Sequence, residues 1–286
     1  MLGALIIVFR EVIEAGIIVG IVLAVTRDVA RSRAWIFLGV VGGVLGASLV
    51  AAFAGELANA LEGVGQEVFN GSILALAVVM LAWHNIWMAT HGRELAAQAA
   101  ELGQEVRSGA RSVAALAVVV GVAVMREGSE IALFLYGLAA AGGSTAPSLI
   151  VGSILGLIAG CAVSAVTFLG LITIPQRYLF RVTGILITFL AAGLAAQSAA
   201  FFQQAGLVTA LADTAWDSSA ILSDTSLLGR TLHTLIGYSD QPSVLQVVVY
   251  VGTLCVIFGL SKALSLRRAN PNAAKPTPSA SRGARA

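Results

Sequence analysis

The stretch FREVIEAG, residues 9–16, places one arginine and two glutamates inside an otherwise apolar run. The stretch MREGSEIA, residues 125–132, repeats this Arg-Glu-x-x-Glu arrangement 116 residues later. A helix that is apolar on both sides of three central charges must give those charges partners or water. The two motifs therefore predict a polar centre inside an apolar protein.

The overall composition is that of a membrane protein. Hydrophobic residues make up 58% of the 286 residues, charged residues only 11%, and the mean hydropathy is +0.90. Soluble domains average about 25% charged residues. This composition indicates that the lipid bilayer surrounds the chain and excludes the soluble classes, and we expect no nucleic-acid partner.

Seven apolar runs are long enough to cross the bilayer as helices. A hydrocarbon core about 30 Å thick requires roughly 20 residues of helix. We therefore predict an all-α polytopic membrane protein with seven transmembrane helices. The runs cover residues 3–26, 35–57, 70–91, 112–141, 148–174, 180–205 and 243–264.

The basic residues between these runs lie mainly on one side. Of the 17 Lys and Arg, 14 fall on the side that holds the C-terminus, only Arg230 falls on the other side, and two belong to the motifs. The positive-inside rule then places the N-terminus outside and the C-terminus in the cytoplasm. Residues 265–286 are basic and rich in Pro, Ala and Ser, which predicts a disordered cytoplasmic tail.

The two motifs also indicate an internal repeat, because each lies in the first helix of a three-helix block. The transmembrane domain 1–264 then divides into repeat A at 1–91, repeat B at 112–205, an outer loop at 206–242 and a seventh helix at 243–264. An odd number of crossings separates the copies, so the blocks enter the membrane from opposite sides, as inverted repeats of transporters do. Such repeats hold their substrate at the interface near the midplane.

The charges of the motifs are too costly to face lipid. At roughly 2.5 to 3.5 kcal/mol for each charge at a helix centre, six charges would cost about 15 to 20 kcal/mol. The six residues are Arg10, Glu11, Glu14, Arg126, Glu127 and Glu130. Glutamates three residues apart share a helix face, and four carboxylates without a thiolate predict a site for a hard or borderline cation. The alternative is that Arg–Glu pairs only lock the two helices together.

Several stretches outside the motifs resemble one transporter family. They are AWHNIWM (82–88), AAGLAAQSAAFFQQAG (191–206) and WDSSAILSDTSLLGRTLHTLIGYSDQPSVLQVVVY (216–250). Together with the paired motifs in the first and fourth predicted helices, they resemble the oxidase-dependent iron transporters. This high-affinity iron permease family includes the bacterial EfeU-type proteins. The outer Asp-Ala-Ser-Glu motif of the family is not present in this sequence.

The resemblance implies a transporter of the inner or plasma membrane rather than an enzyme. Its substrate would be iron, as Fe³⁺ or Fe²⁺, moved inward without a prosthetic group. The implied partner is an extracytoplasmic oxidase or iron-delivery protein. The expected iron-handling residues are Glu11, Glu14, Glu127 and Glu130, with Arg10 and Arg126 as their charge partners.

Acidic residues near the second and third predicted helices are candidates for iron recruitment. Glu56, Glu62 and Glu67 lie around the expected outer mouth of these helices. A negative outer surface concentrates cations and speeds their arrival. The alternative is an ordinary solvated surface with no role in transport.

Two histidines and a glutamine are candidates for the pathway. His84 and His91 are seven residues apart, so they share one helix face toward the expected cytoplasmic end. As ligands they would form an exit step, and as ordinary polar residues they would only accept or donate hydrogen bonds. Gln197 lies in the sixth predicted helix, the counterpart of the third, and is a candidate to line the pathway.

Two other functions are compatible with the charged motifs. A transporter of another divalent cation such as Mn²⁺ would use the same carboxylates, and competition between metals in uptake separates the two. An intramembrane carboxylate di-iron oxidoreductase is the alternative from another class. Bundle enzymes of that type use Glu-x-x-His motifs, whereas both motifs here end in Glu.

Overall fold

The computed structural model describes residues 1–60, 65–142, 145–170 and 176–269, and over these residues the regular secondary structure is helical apart from one isolated bridge between Thr214 and Ser243. The helices are α1 (Leu2–Val25), α2 (Ser32–Ala60), α3 (Gln66–Arg107), α4 (Ala114–Ala140), α5 (Ala146–Phe168), α6 (Gln176–Gln204), α7 (Leu227–Ile236) and α8 (Val244–Ala269). The all-α class is therefore confirmed. The first five residues of the predicted tail 265–286 continue α8, and Glu62 and the rest of the tail lie outside the described residues.

Two helices differ from the predicted spans. α3 is 42 residues long and continues to Arg107, well past the predicted end at residue 91. Its second half is rich in Ala, Leu, Glu and Gln, which favour a helix even outside a membrane. α7 is a ten-residue helix inside the predicted outer loop, and the Ser226 side chain caps it by accepting a hydrogen bond from the Gly229 amide.

The apolar helices have the length and surface of membrane spans. Five segments of the described residues are long and apolar enough to cross a membrane: Ser32–Glu56, Gln66–Met88, Ala146–Phe168, Phe180–Gln204 and Val244–Leu264. α1 and α4 have 24 and 27 residues, but each carries the three charges of its motif. Large apolar side chains such as Phe37 and Ile158 are exposed, as contact with lipid requires. The chain is a multi-pass integral membrane protein.

α5 packs against α1 through glycines spaced four residues apart. A Cβ at Gly156 would lie 2.6 Å from the carbonyl oxygen of Leu5, and a Cβ at Gly160 would lie 2.8 Å from Cβ of Val12. Neither distance leaves room for a side chain, so the two helices approach each other closely. This contact fixes the position of α1 and of its motif.

α2 packs against α4 in an equivalent way. A Cβ at Gly43 would lie 2.7 Å from the carbonyl oxygen of Gly121 and 2.7 Å from Cβ of Val124. Gly121 follows Leu5 by 116 residues, the interval that also separates the two motifs. The two motif-bearing helices are thus held by the same kind of glycine contact at corresponding positions.

The motifs lie between two apolar cores. One core includes Ile7 of α1 and Phe134 of α4, and the other includes Val22 of α1 and Val120 of α4. On each helix the motif falls between the residues that contribute to the two cores. The fold therefore encloses a layer of charged residues between two regions of packed apolar side chains.

Candidate metal centre

Three helices bring metal-ligating side chains together in this charged layer. Glu11 of α1, His84 of α3, and Glu127 and Glu130 of α4 each offer one ligand atom, and these four atoms lie within 4.8 Å of one another. Glu11 and Glu127 are enclosed, with 0% and 2% of their surface exposed. The spacing of three residues puts Glu127 and Glu130 on the same side of α4. We call these four residues the central cluster.

Glu14, the other glutamate of the first motif, lies at the edge of the central cluster. Its Oε1 is 2.8 Å from Nε of Arg10, one helical turn earlier, and its Oε2 is 3.3 Å from Nε2 of His84. Arg10 is itself buried. The sequence predicts four similar carboxylates around one point, whereas the structure groups three of them with His84. Glu14 pairs instead with Arg10 on its own helix.

His84 contacts both copies of the motif. Its Nδ1 contacts Oε2 of Glu130 in the second copy. Its Nε2 lies 3.4 Å from Oε2 of Glu11 and 3.3 Å from Oε2 of Glu14 in the first copy. The ring is buried and packs edge-on against Phe134, with 6.4 Å between ring centroids. The sequence predicts His84 as part of an exit step, but the structure places it in the centre.

The neighbouring residue explains why His84 faces the centre. The Asn85 amide donates to the carbonyl oxygen of Gly184 at 3.1 Å and to Oγ1 of Thr188 at 3.0 Å, both on α6. Successive residues of a helix point about 100° apart. Anchoring Asn85 to α6 therefore turns His84 toward α1 and α4. The sequence shows that His84 and Asn85 are neighbours, but it does not show which helix each side chain faces.

Many polar atoms of the centre are buried without a hydrogen-bond partner among the described residues. They are both oxygens of Glu11 and Glu14, Oε2 of Glu127 and Glu130, Nε2 of His84 and Nη1 of Arg10. Of these, Oε1 of Glu14 and Oε2 of Glu130 still have the close ionic contacts with Arg10 and His84 given above. The contacts of His84 Nε2 with Glu11 and Glu14, at 3.4 and 3.3 Å, lack hydrogen-bond geometry. An unmet buried polar group costs about 1–3 kcal/mol. Such a concentration of unmet acceptors is typical of a site that is completed by a bound ligand.

Arg126 binds the carboxylates of the second motif. Its Nε donates to Oε1 of Glu127 at 2.9 Å, and its Nη2 lies 2.7 Å from the same oxygen. Nε is also 3.7 Å from Oε1 of Glu130. The guanidinium lies 5.0 Å from the centroid of the Trp87 ring, within cation–π range. The side chain is 34% exposed, so Arg126 lies at the margin of the centre.

The charges of the centre favour a bound cation. Four glutamates and two arginines leave a formal charge of −2 when the imidazole is neutral. A buried charge without compensation is strongly destabilising. Carboxylate oxygens with one imidazole nitrogen are suitable ligands for first-row divalent metals such as iron. The chemistry of the donor set therefore fits iron and its neighbours in the first transition row.

Two of the predicted pathway residues lie away from the central cluster. The His91 ring stacks on Trp87 with 5.0 Å between centroids, and its Nδ1 is 3.2 Å from the Trp87 carbonyl oxygen. Gln197 lines a separate cavity of about 190 Å³, together with His233 and Tyr250. Neither residue belongs to the group of ligand atoms around Glu11.

Two of the three predicted recruitment residues lie near helix ends, apart from the centre. Glu56 is exposed near the end of α2, and Glu67 is exposed in the first turn of α3. Glu62 lies between these helices, outside the described residues. Recruitment of cations by these glutamates stays a prediction.

Comparisons with known proteins match almost the whole chain. A "Ferrous iron permease EfeU" of Escherichia coli O6:H1 is 32% identical over 249 residues, which cover 86% of this chain and 89% of that protein. A protein of the same name from Yersinia pestis is also 32% identical over 249 residues, covering 86% of this chain and 87% of the relative. No solved structure matches.

The resemblance found in the sequence is therefore confirmed. The family described as iron permease FTR1 matches residues 1–267, which include both motifs and all three helices of the central cluster. The relatives align over 86% of the chain at an identity that is sufficient to establish kinship. The chain belongs to the iron permease FTR1 family.

Proposed function

We propose that this protein moves iron inward across the membrane through the central cluster. The observation that carries this proposal is the set of buried carboxylate oxygens without a hydrogen-bond partner on Glu11 and Glu127, grouped with His84 and Glu130. A dehydrated cation supplies the partner that these oxygens lack. Glu14 and the two motif arginines adjust the charge around the ion.

The proposed topology has seven membrane crossings, with the N-terminus outside. α1 and α4 cross as well, because their charges are buried in the protein and their other faces are apolar. The equivalent glycine contacts of α1 with α5 and of α4 with α2 support two related blocks. Movement of one block against the other then exposes the ion to each side in turn.

The proposed substrate is Fe²⁺. The relatives from E. coli and Y. pestis are both named ferrous iron permeases. A divalent ion also neutralises the formal charge of −2 on four glutamates and two arginines, whereas Fe³⁺ leaves an excess positive charge in a buried site. An extracytoplasmic protein would then deliver iron to the outer mouth, where Glu56 and Glu67 are exposed.

The proposal is tested by iron uptake into proteoliposomes that contain the purified protein. Radioactive Fe²⁺ is kept reduced, and the initial rate is compared for wild type, Glu11→Gln and Glu127→Gln. Each variant removes one charged ligand, and we expect uptake to fall by at least about tenfold, the usual scale for perturbing a metal site. Uptake at the wild-type rate in both variants would reject the central cluster.

The matched control is Glu101→Gln. Glu101 lies on the exposed surface of α3, far along the helix from His84, and the substitution makes the same chemical change outside the centre. We expect wild-type uptake. Oxygen consumption is followed in the same vesicles, because iron oxidation without iron accumulation would favour the oxidoreductase alternative over a permease.

A further inference from the structure

We propose that His84 Nε2 is a ligand of the transported ion and that this nitrogen sets the preference of the site for Fe²⁺ over harder divalent ions. This inference rests on the proposed function, since it concerns the same ion. It adds a donor from a third helix to a site that the sequence assigns to the two motifs alone.

The two ring nitrogens of His84 have different surroundings. Nδ1 contacts the Glu130 carboxylate. Nε2 is buried, lacks a hydrogen-bond partner among the described residues, and faces the oxygens of Glu11 and Glu14 at 3.4 and 3.3 Å. Histidines that bind metals commonly give their second nitrogen to a carboxylate, which orients the ring. Glu130 is placed to orient the imidazole, and Nε2 is placed to bind the ion.

The imidazole is also held rigidly in place. Asn85 anchors this turn of α3 to α6 through Gly184 and Thr188. Phe134 packs edge-on against the ring. A side chain that is already held by neighbouring contacts loses little conformational entropy when the ion binds. His84 is therefore preorganised between the two motif helices instead of being recruited from a flexible segment.

The chemistry of the nitrogen ligand explains why it would determine selectivity. Sites made only of carboxylate, carbonyl and water oxygens suit Mg²⁺, Ca²⁺ and Mn²⁺, whereas imidazole favours iron and the later metals of the row. Three glutamates without His84 would accept hard divalent ions readily. One imidazole in the same site shifts the preference toward Fe²⁺.

The first test measures selectivity in proteoliposomes. Fe²⁺ uptake is measured with increasing Mn²⁺ for wild type, His84→Gln and the control His91→Gln, which removes a histidine two turns along the same helix. For His84→Gln we expect the concentration of Mn²⁺ that halves Fe²⁺ uptake to fall by about ten- to a hundredfold, the scale of metal-site substitutions. His91→Gln keeps the wild-type value. An unchanged value in a folded His84→Gln variant would overturn the proposal.

The second test keeps His84 intact and so does not depend on the folding of a variant at that position. The chain has three histidines, so the double variant His91→Gln/His233→Gln retains His84 alone. The protein is labelled with ¹⁵N-histidine, purified without a histidine tag, and loaded with Mn²⁺. Pulsed EPR is expected to show a ¹⁵N coupling to the bound ion. Bound Mn²⁺ without this coupling would contradict ligation by His84.

The two proposals fail in different ways. If Glu11→Gln keeps full iron uptake, transport through the central cluster is rejected, whatever the EPR spectrum shows. If Glu11→Gln abolishes uptake but Mn²⁺ shows no ¹⁵N coupling, the site stands and only the role of His84 is rejected. A ¹⁵N coupling together with loss of uptake in Glu11→Gln supports both.

Discussion

The two copies of the Arg-Glu-x-x-Glu motif have the same residues but different surroundings. Arg10 is enclosed and pairs with Glu14, one turn along its own helix. Arg126 is one-third exposed, binds Glu127 beside it in the chain, and lies over the ring of Trp87. The local sequence thus provides an arginine and two carboxylates in each copy. The third helix determines how they are used.

α3 breaks the symmetry between the copies. The glycine contacts that hold α1 and α4 are equivalent, so α2 and α5 support the two motif helices in the same way. α3 then contributes His84 to the central cluster and Trp87 to Arg126. Within the part of the chain that the structure describes, α6 supplies no ligand atom to this cluster. A nearly symmetric pair of helices therefore becomes an asymmetric metal centre.

The largest effect that we expect is a loss of stability when the arginine of either motif is replaced. Arg10→Met leaves Glu14 buried without its cation, and breaking a buried pair costs about 3–5 kcal/mol. Arg126→Met removes a side chain that is 34% exposed, so water can enter the vacated space beside the enclosed Glu127, and we expect a loss of about 1–3 kcal/mol. Titration with a denaturing detergent measures the free energy of unfolding of both variants.

The double variant Arg10→Met/Glu14→Gln provides the control, because it removes the unpaired charge and should recover much of the loss. Equal destabilisation by Arg10→Met and Arg126→Met would show that the two copies are equivalent in energy. The proposed asymmetry of the centre would then be wrong.

The next largest expected effect on stability comes from the glycine contacts. These contacts test the part of the structure in which the two motif helices are held alike. Gly156→Ala and Gly43→Ala each place a Cβ within 2.7 Å of a backbone oxygen on the opposite helix. We expect each to destabilise the protein by about 1–3 kcal/mol, as overpacking does. Gly42→Ala, where an added Cβ would meet no atom within 4 Å apart from its own stretch of helix, should be neutral or stabilising by up to about 1 kcal/mol. A loss confined to one contact would argue against an equivalent scaffold.

The smallest effect concerns the cation–π contact that, among the described residues, the second copy has and the first lacks. Trp87→Leu removes the ring below Arg126, and we expect a loss of about 0.5–1 kcal/mol in the free energy of unfolding. Trp83→Leu is the matched control, because Trp83 is 71% exposed on the same helix one turn earlier. If both substitutions have the same effect, the contact of Trp87 with Arg126 contributes nothing measurable.

The sequence predicts the parts of this protein that depend on local pattern. The length of the apolar runs predicts the transmembrane helices. The free-energy cost of a charge in lipid requires Glu11 and Glu127 to lie in the interior of the protein. The direction of His84 depends on tertiary contacts, above all the anchoring of Asn85 to α6. The position of Glu14 depends on which carboxylate Arg10 holds. The spacing of residues along one helix predicts neither the direction of His84 nor the pairing of Glu14 with Arg10.

The extension of α3 and the helix α7 were missed for a related reason. Hydropathy marks the part of α3 that suits a bilayer, but the helix continues to Arg107 because its later residues favour helix in water as well. α7 is too short to appear as a span, and its capping serine is a common loop residue. Neither segment contributes to the central cluster.

The most direct test is to locate iron in the protein. Crystals of the protein loaded anaerobically with Fe²⁺, measured at the iron absorption edge, give the position of the ion from its anomalous scattering. We predict a peak enclosed by Glu11, His84 and Glu127, in a preparation that also transports iron. A peak elsewhere in a transporting preparation, with these three side chains still unoccupied, would contradict the central cluster as the site of passage.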